Sequence, residues 1–255
     1  NRDFNGAQQE GVGLYQVTHR NGERFSAAKA YLTPHLHRPN LQVVTKAHVT
    51  RILFDEHKRA TGVAYLRDGA IHTERATREV LLCAGALLSP QVLQLSGIGH
   101  AEQLKRLGID VVHDLPGVGE HLHDHPDVVQ VVDAPHLKDL FGLSMAGAMH
   151  VLRGVVDWRT RRKGMLTTNF AEAGGFIKSS ADVSEPDLQL HFVVGKLIDH
   201  GRKTVWGHGY SCHICLLQPQ SRGSVKLDSG ATLVPPLFDP AFLSNPDDMT
   251  KLVQG

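Results

Sequence analysis

The sequence has few cysteines, no long apolar run and no excess of charge of one sign. Cys83, Cys212 and Cys215 are its three cysteines, an odd and low count that argues against a disulfide scaffold and is typical of a reducing compartment. No uninterrupted apolar run approaches the ~20 residues that a membrane-spanning helix needs. With 27 Lys and Arg against 26 Asp and Glu, the chain gives no electrostatic reason to expect a nucleic-acid partner.

Several well-known motifs are incomplete. The segments GVGLYQ, GIGHAE and GVGEHL each supply only the first two glycines of G-x-G-x-x-G, so no complete dinucleotide fingerprint is present. The sequence also lacks a P-loop and a G-x-S-x-G nucleophile elbow. The segment CHIC has C-x-x-C spacing but no second pair to complete a zinc site, and it lies within YSCHICLL, which predicts a buried strand.

The composition that remains is that of an ordinary globular protein. Apolar residues make up 41% and charged residues 21% of the 255 residues, enough for one large domain or two modest ones. The chain begins NRDFNGAQQE without Met and ends MTKLVQG within a predicted helix. We therefore expect it to be a piece of a longer protein.

The first half predicts an antiparallel meander. Apolar and polar residues alternate over Leu41–Asp55, as in one half-buried strand or a strand pair. Three more short runs follow, with a predicted hairpin turn at Asp68-Gly69. The last run, EVLLCAGA, is almost continuously apolar and predicts a strand that is buried on both faces.

Two helices are predicted after this strand. In LLSPQVLQLSGIG, Ser89 is the expected N-cap, Pro90 the first helical residue and Gly97 the end of the helix. The residues expected to face inward are Val92, Leu93 and Leu95. A second short helix, AEQLKRLG, is predicted to close at Gly108.

The second half predicts a sheet with helices against it. Helical periodicity extends over LKDLFGLSMAGAMHVLRGVVDWRTRRKG, and strands are predicted at AGGFIK, PDLQLHFVV, YSCHICLLQP and GSVKLD. The change in composition near Asp133 suggests two domains, 1–133 and 134–255. The fold class is therefore α+β, with mixed helices and antiparallel sheets.

The run HLHDHP, residues 121–126, raises the question of a metal site. Hydrolytic zinc sites use His and Asp on a loop after a strand, commonly as H-x-H-x-D-H. Here the order is H-x-H-D-H, which is one residue short and turns Asp124 and His125 to different sides of the chain. A metal-dependent hydrolase that uses His121–His125 is therefore an alternative, but no metal ligand is assigned.

Two ordered segments carry a resemblance to a known family. GALLSPQVLQLSGIG, residues 85–99, resembles the second signature of the glucose-methanol-choline (GMC) oxidoreductases, and LPGVGEHLHDHP resembles their LPGVGxNLxDH landmark. In the second match, His121 stands where Asn is usual and His123 where Gln is common. The histidine run is then a variant of a flavoenzyme loop, and the bacterial choline- and alcohol-dehydrogenase-like members are the most similar.

This resemblance implies a fold, a cofactor and a reaction. The chain would contain the middle part of a flavin-binding domain, residues 1–133, and most of a substrate domain with an antiparallel sheet and flanking helices, residues 134–255. The protein would oxidise an alcohol, choline-like or neutral, to an aldehyde by hydride transfer to FAD. The FAD fingerprint and the catalytic histidine would lie outside this chain. We therefore expect the chain alone to be inactive and to retain little or no FAD.

The resemblance also assigns a few site residues. Val49 matches a family strand whose backbone pairs with the adenine edge, and Ala84 and Gly85 match a small-residue turn that passes close to the dinucleotide. An ordinary strand valine and an ordinary tight turn are the alternatives. No catalytic residue is assigned within this chain.

Asp127 is the candidate substrate residue, because choline-oxidising relatives carry a glutamate at the matching position. That glutamate faces the trimethylammonium group. An Asp127 that caps the loop or pairs with a nearby Arg is the alternative. Glu172 is a second carboxylate, for which a solvated or salt-bridged role is expected. Ala171 stands in place of a family tryptophan. This departure weakens cation–π recognition of choline and makes a neutral alcohol at least as good a candidate.

The implied partner is a small-molecule alcohol, with the electron acceptor unidentified, no nucleic acid and no transmembrane segment. The expected location is cytoplasmic, with a peripheral contact to the inner membrane left open. A non-catalytic isolated domain is the remaining alternative.

Overall fold

The computed structural model describes residues 1–203 and 205–255 and divides into two compact units. Unit 1 comprises Asn1–Leu41, His125–Pro219 and Pro246–Gly255, and unit 2 comprises Gln42–Asp124 and Gln220–Asn245. Both units are discontinuous in sequence, so they do not coincide with the single boundary near residue 133 that composition suggests. Strand pairing between distant segments, rather than chain order, defines the compact units.

The strands and helices have the following bounds. The strands are β1 (Gly11–Leu14), β2 (His19–Arg20), β3 (Glu23–Arg24), β4 (His48–Phe54), β5 (Ala60–Arg67), β6 (Ala70–Arg75), β7 (Ile98–Gly99), β8 (His113–Asp114), β9 (Glu120–Leu122), β10 (Asp127–Asp133), β11 (Gly142–Leu143), β12 (Ala171–Ile177), β13 (Leu188–Val193), β14 (Gly207–Leu216), β15 (Gly223–Lys226) and β16 (Leu237–Asp239). The α-helices are α1 (Gly85–Leu95), α2 (Ala101–Arg106), α3 (Met145–Arg161) and α4 (Pro246–Gln254). Short 3-10 or π-helical turns lie at Ala28–Leu32, Thr33–His35, Met165–Thr167 and Asp199–Gly201.

Unit 1 is built on an antiparallel sheet with strand order β1-β12-β13-β14-β10, to which β11 adds by pairing with β14. The three strands predicted from AGGFIK, PDLQLHFVV and YSCHICLLQP are confirmed as β12, β13 and β14. The edge strand β1 was not predicted, because its sequence GVGL is rich in glycine, which has low strand propensity. Its partner β12 lies far along the chain.

One face of this sheet forms an apolar core with helix α4. Leu188 and Leu216 are fully buried there, together with Ile214 and Leu252. Asp187 binds α4 through Lys251 Nζ at 3.2 Å and accepts hydrogen bonds from Ser179. Burial alone would raise the pKa of the Asp187 carboxyl, but these hydrogen bonds lower it below its ordinary value.

Unit 2 contains the predicted meander, with strand order β4-β5-β6. The hairpin turn at Asp68-Gly69 is confirmed, since both residues have positive φ, 49° and 80°. The predicted strand over Leu41–Asp55 is only partly present, because β4 begins at His48. A second sheet, ordered β16-β15-β9, contains the strand predicted from GSVKLD.

The prediction of a buried strand at EVLLCAGA is wrong for this structure. Residues 76–84 form no strand, and Leu81 is 76% exposed. A strand that is buried on both faces needs hydrogen-bonding neighbours. No described strand lies beside this segment. Val80 and Leu82 are half-buried, so the apolar pattern of this segment is only partly covered.

Helix α1 also begins earlier than predicted. Its N-cap is Ala84, so that Ser89 and Pro90 lie inside the helix rather than at its start. The predicted end is confirmed, because Gly97 has φ +83°. The most buried positions are Gln91, Val92 and Gln94, whereas Leu93 and Leu95 are half-buried. The predicted helices α2 and α3 are confirmed, and α2 closes at Gly108 with φ +72°.

Candidate functional site

The unit 1 sheet brings polar side chains together on the face opposite its apolar core. His191 on β13 lies directly opposite His213 on β14, and Asp127 on β10 lies opposite Cys215. Directly opposed residues, and alternate residues along one strand, share a face of an antiparallel sheet. Asp127, His191 and His213 therefore lie on one face, which we call the polar face.

Asp127 and His213 form a close pair on this face. His213 Nδ1 lies 2.5 Å from Asp127 Oδ2, and since an ionised carboxylate has no proton to give, the imidazole N–H donates. The pair is largely shielded from water, with side chains 24% and 12% exposed respectively. The other ring nitrogen, His213 Nε2, is buried and has no hydrogen-bond partner among the described residues.

His191 packs beside this pair. Its ring stands perpendicular to that of His213, with the ring centroids 6.5 Å apart. Burial lowers the pKa of His191 below the ordinary 6.5, and the neighbouring His213 and His125 lower it further, while the Asp127 carboxylate acts in the opposite direction. The face therefore favours a neutral imidazole at His191, which can accept a hydrogen bond.

Tyr15 extends the polar face towards the edge strand β1. Its hydroxyl donates to the Leu190 carbonyl at 2.5 Å and accepts from Gln189 Nε2 at 3.2 Å. Burial raises the pKa of Tyr15 above its ordinary value, so it stays protonated and acts as a donor. The ring packs against His191 and against Phe176, with ring centroids 5.6 Å and 6.3 Å away.

The sequence did not single out His191, His213 or Tyr15 as site residues. A usable signal existed, because each histidine lies in a predominantly apolar strand segment, DLQLHFVV or YSCHICLL. A titratable side chain in such a strand needs a partner. The cross-strand register that brings the two histidines together cannot be read from the sequence alone. Glu172, by contrast, is exposed, as expected for a solvated carboxylate.

The cofactor residues suggested by sequence lie in unit 2. Val49 is half-buried on β4, an edge strand of its sheet, opposite Tyr65. Ala84 and Gly85 are exposed at the start of α1, and Gly85 has φ +84° with open space around the position of a Cβ atom. Small, exposed residues of this kind leave backbone free to approach a dinucleotide, so they fit such a role.

A hydrogen bond ties the strand of Val49 to the helix of Gly85. The hydroxyl of Ser96, which caps the end of α1, accepts from the Ile52 N–H on β4 at 2.8 Å. The same hydroxyl donates to the Val92 carbonyl at 2.5 Å. The two candidate cofactor segments thus belong to one rigid part of unit 2.

The histidine run forms a loop at β9 and after it. His121 has φ +63°, and His123 Nδ1 lies 3.2 Å from the His121 carbonyl. All three histidines of the run are exposed. Over residues 1–203 and 205–255, no group of three or more His, Cys, Asp or Glu side chains has the arrangement of a metal site.

The cysteines of CHIC lie on β14, as the sequence predicted. Cys215 is buried and Cys212 is half-buried. Their spacing of three residues directs them to opposite faces of the strand. Burial raises the pKa of the Cys212 thiol, which disfavours the thiolate needed for metal binding or redox chemistry.

Comparisons with known proteins agree with the sequence resemblance. The family model described as GMC oxidoreductase matches residues 1–127. The alcohol dehydrogenase [acceptor] of Pseudomonas putida is 45% identical over 100% of this chain and 46% of its own length. Human mitochondrial choline dehydrogenase is 41% identical over 97% of this chain and 41% of its own length. The chain thus spans less than half the length of these curated relatives.

Solved structures give the same fold. An FAD-dependent oxidoreductase from Chaetomium thermophilum superposes with a TM-score of 0.79 at 23% identity, covering 98% of this chain and 49% of that chain. The α+β fold with antiparallel sheets is that of these flavoenzymes. The chain belongs to the glucose-methanol-choline (GMC) oxidoreductase family.

Proposed function

We propose that this chain is part of an FAD-dependent oxidoreductase that oxidises a small alcohol to an aldehyde by hydride transfer to the flavin. The observation that carries the proposal is the 45% identity, along the whole chain, to an alcohol dehydrogenase. The polar face of unit 1 supports it, because imidazole and carboxylate groups in a half-buried setting can orient a hydroxyl group.

Val49, Ala84 and Gly85 are the proposed FAD contacts of this chain. Bound FAD would supply the hydride acceptor, while these residues would only hold the dinucleotide. Val49 offers strand backbone to the adenine edge, and the turn at Ala84 and Gly85 offers close backbone approach. No residue of the chain is assigned as catalytic base.

Asp127 is the proposed substrate-side residue. The division into a flavin part, residues 1–133, and a substrate part, residues 134–255, stays a proposal. The compact units suggest one refinement. Residues 1–41 pack with the sheet that carries the polar face, so we would group them with the substrate part.

Anaerobic addition of an alcohol to the full-length, flavin-loaded protein tests the reaction. Bleaching of the flavin absorption, with aldehyde formed in equal amount, is the expected result. Hydrolytic activity that depends on stoichiometric zinc, without flavin, would favour the metallohydrolase instead.

A glycine pair tests the FAD contacts separately. Gly85 and Gly108 both have positive φ, and both have open space at the Cβ position. Gly85→Ala and Gly108→Ala therefore introduce the same backbone strain. We expect only Gly85→Ala to lower the flavin content of the purified full-length protein. Equal flavin content in both variants would contradict the assignment.

No helix among the described residues is long and apolar enough to cross a membrane.

We propose a cytoplasmic location with peripheral membrane contact through α3. Met145, Met149, Leu152 and Val156 recur on one side of this helix and are 55–88% exposed. Exposed basic residues lie near this stripe: Arg153, Arg159, Arg161 and Lys163. An apolar stripe with flanking cations suits an anionic lipid surface.

Vesicle flotation tests this contact with the full-length protein. We expect binding to vesicles that contain phosphatidylglycerol but not to pure phosphatidylcholine. Leu152→Glu should abolish binding, whereas Thr160→Glu, an exposed change of equal charge on the same helix, should weaken it only slightly. Equal effects of both variants would mean that only charge matters and that the stripe does not insert.

A further inference from the structure

The Asp127 carboxylate already has a partner on the polar face. Its Oδ2 accepts a hydrogen bond from His213 Nδ1 at 2.5 Å. The His213 side chain is only 12% exposed, so water competes little for this bond. A carboxylate that already accepts a hydrogen bond attracts an external cation less strongly than a free one, because the donor's dipole partly compensates its charge.

A second imidazole lies beside this pair. His191 lies opposite His213 in the sheet register, and the Asp127 charge acts on it. The polar face thus places one carboxylate beside two imidazole rings. A quaternary ammonium group that approaches Asp127 would therefore meet a carboxylate whose Oδ2 already accepts a hydrogen bond, with two imidazole rings beside it and no second carboxylate among the described residues that define this face.

The aromatic rings beside His191 do not form an open cation site either. Phe4 and Phe176 are 8% and 9% exposed and pack edge to face, with centroids 5.1 Å apart. Tyr15 packs on Phe4 at 5.4 Å and on His191 at 5.6 Å. A cation–π site needs a ring face that is open to the ligand. Here the rings cover one another.

We propose that His213 is a specificity-determining residue that masks the Asp127 carboxylate and so selects uncharged alcohols over alcohols that carry a quaternary ammonium group. This inference rests on the proposed function and names the substrate class for the same site. His213 is a positioning residue in this scheme, since it acts on the substrate through Asp127.

The first measurement needs no variant. Choline and its neutral isostere 3,3-dimethylbutanol are compared as substrates of the full-length, flavin-loaded enzyme by steady-state kinetics. We expect kcat/KM for the neutral alcohol to exceed that for choline by roughly tenfold or more, the effect of one lost charge interaction of moderate strength. Equal values, or a preference for choline, would overturn the proposal.

The second measurement removes the mask. In His213→Leu the carboxylate loses its partner, and the choline-to-isostere ratio of kcat/KM should rise roughly tenfold. The double variant His213→Leu with Asp127→Asn should return the ratio to the wild-type value, because the asparagine at position 127 carries no negative charge that could attract choline. A purely structural role of His213 would lower kcat/KM for both alcohols without changing the ratio, which would overturn the proposal.

Cys212→Ala provides the matched control. Cys212 precedes His213 on β14 and points to the opposite face of the sheet, so the ratio should not change. The two proposals also fail in different ways. A flavin-loaded enzyme that oxidises neither alcohol, nor any other, overturns the proposed function itself. One that oxidises both but prefers choline overturns only the role of His213.

Discussion

The two units treat their buried polar side chains in different ways. In unit 2 these side chains bond to backbone: Gln91 Nε2 donates to the Val234 carbonyl at 2.8 Å, and Ser96 joins α1 to β4. In unit 1 several polar side chains also meet one another, as in the pairs of Asp187 with Ser179 and of the half-buried Asp127 with His213. Polar side chains that bond to backbone stabilise the fold, whereas polar side chains that meet each other on a half-buried face determine which polar groups a ligand there would meet.

Gln94 is the clearest structural case in unit 2. Its Nε2 donates to the carbonyls of Val118 and Val225 at 3.3 Å and 3.0 Å, and its Oε1 accepts from the Leu227 N–H at 3.1 Å. This one side chain joins α1 to the glycine loop and to β15. At least one residue of the family signature in this region, Gln94, therefore stabilises the fold and has no contact among the described residues that suggests a role in the reaction.

The largest expected effect follows from this side chain. Gln94→Ala leaves the Val225 carbonyl and the Leu227 N–H buried without their partner, so we expect a loss of about 2–4 kcal/mol in the free energy of unfolding. Urea denaturation would measure it. Gln103→Ala on α2 is the matched control, expected to cost less than about 0.5 kcal/mol, since that half-exposed side chain has no hydrogen bond among the described residues. Equal losses would mean that the hydrogen bonds of Gln94 do not stabilise unit 2.

Two glycines of unit 2 separate crowding from backbone strain. Gly97 and Gly108 have φ of +83° and +72°, but a Cβ atom at Gly97 would lie 3.0 Å from Val112, whereas nothing lies within 4 Å at Gly108. Gly108→Ala should cost about 1–2 kcal/mol through its left-handed conformation alone. Gly97→Ala should cost at least about 1 kcal/mol more, because packed atoms must move as well. Thermal denaturation of both variants would show whether the end of α1 is as rigid as its contacts imply.

Much of unit 2 could be predicted because its signals are local. The hairpin turn, the end of α1 at Gly97 and helix α2 each depend on a few neighbouring residues with defined backbone preferences. The predicted start of α1 and the predicted strand at EVLLCAGA were wrong. At these two places the secondary structure depends on whether residues distant in sequence pack alongside. The local helix and strand propensities carry no information about such contacts.

The site in unit 1 could be predicted only in part. Asp127 was singled out through the family resemblance, with a loop cap or a pair with a nearby Arg as the alternative, whereas the structure pairs it with His213. The pairing results from the register of β10 against β14. A shift of one residue would turn every side chain to the other face, and the sequence of one strand does not determine that register.

His191 offers a test of the polar face through pH. Its pKa is lowered in the folded protein, mainly by burial, so between the ordinary 6.5 and the lower folded value the unfolded chain binds more protons. The free energy of unfolding should therefore fall as pH drops below 6.5, by at most about 1.4 kcal/mol per pH unit from this group. In His191→Gln this part of the slope should vanish. Denaturation curves at several pH values would check it, and an unchanged slope would mean that His191 is not shielded as the structure indicates.

The smallest effect on the free energy of unfolding is expected at His121 in unit 2. This residue belongs to the histidine run that the sequence raised as a candidate metal site. Its φ of +63° is a left-handed conformation that asparagine adopts more readily than histidine. His121→Asn should therefore raise the free energy of unfolding slightly, by about 0.5 kcal/mol or less. His123→Asn is the control, because that neighbour is equally exposed but has no positive φ, and it should change nothing measurable. Metal analysis of both variants completes the test. Loss of a bound metal and of activity in His121→Asn would show that the loop binds a ligand. The polar residues of this loop would then have a functional role, unlike the structural polar residues elsewhere in unit 2.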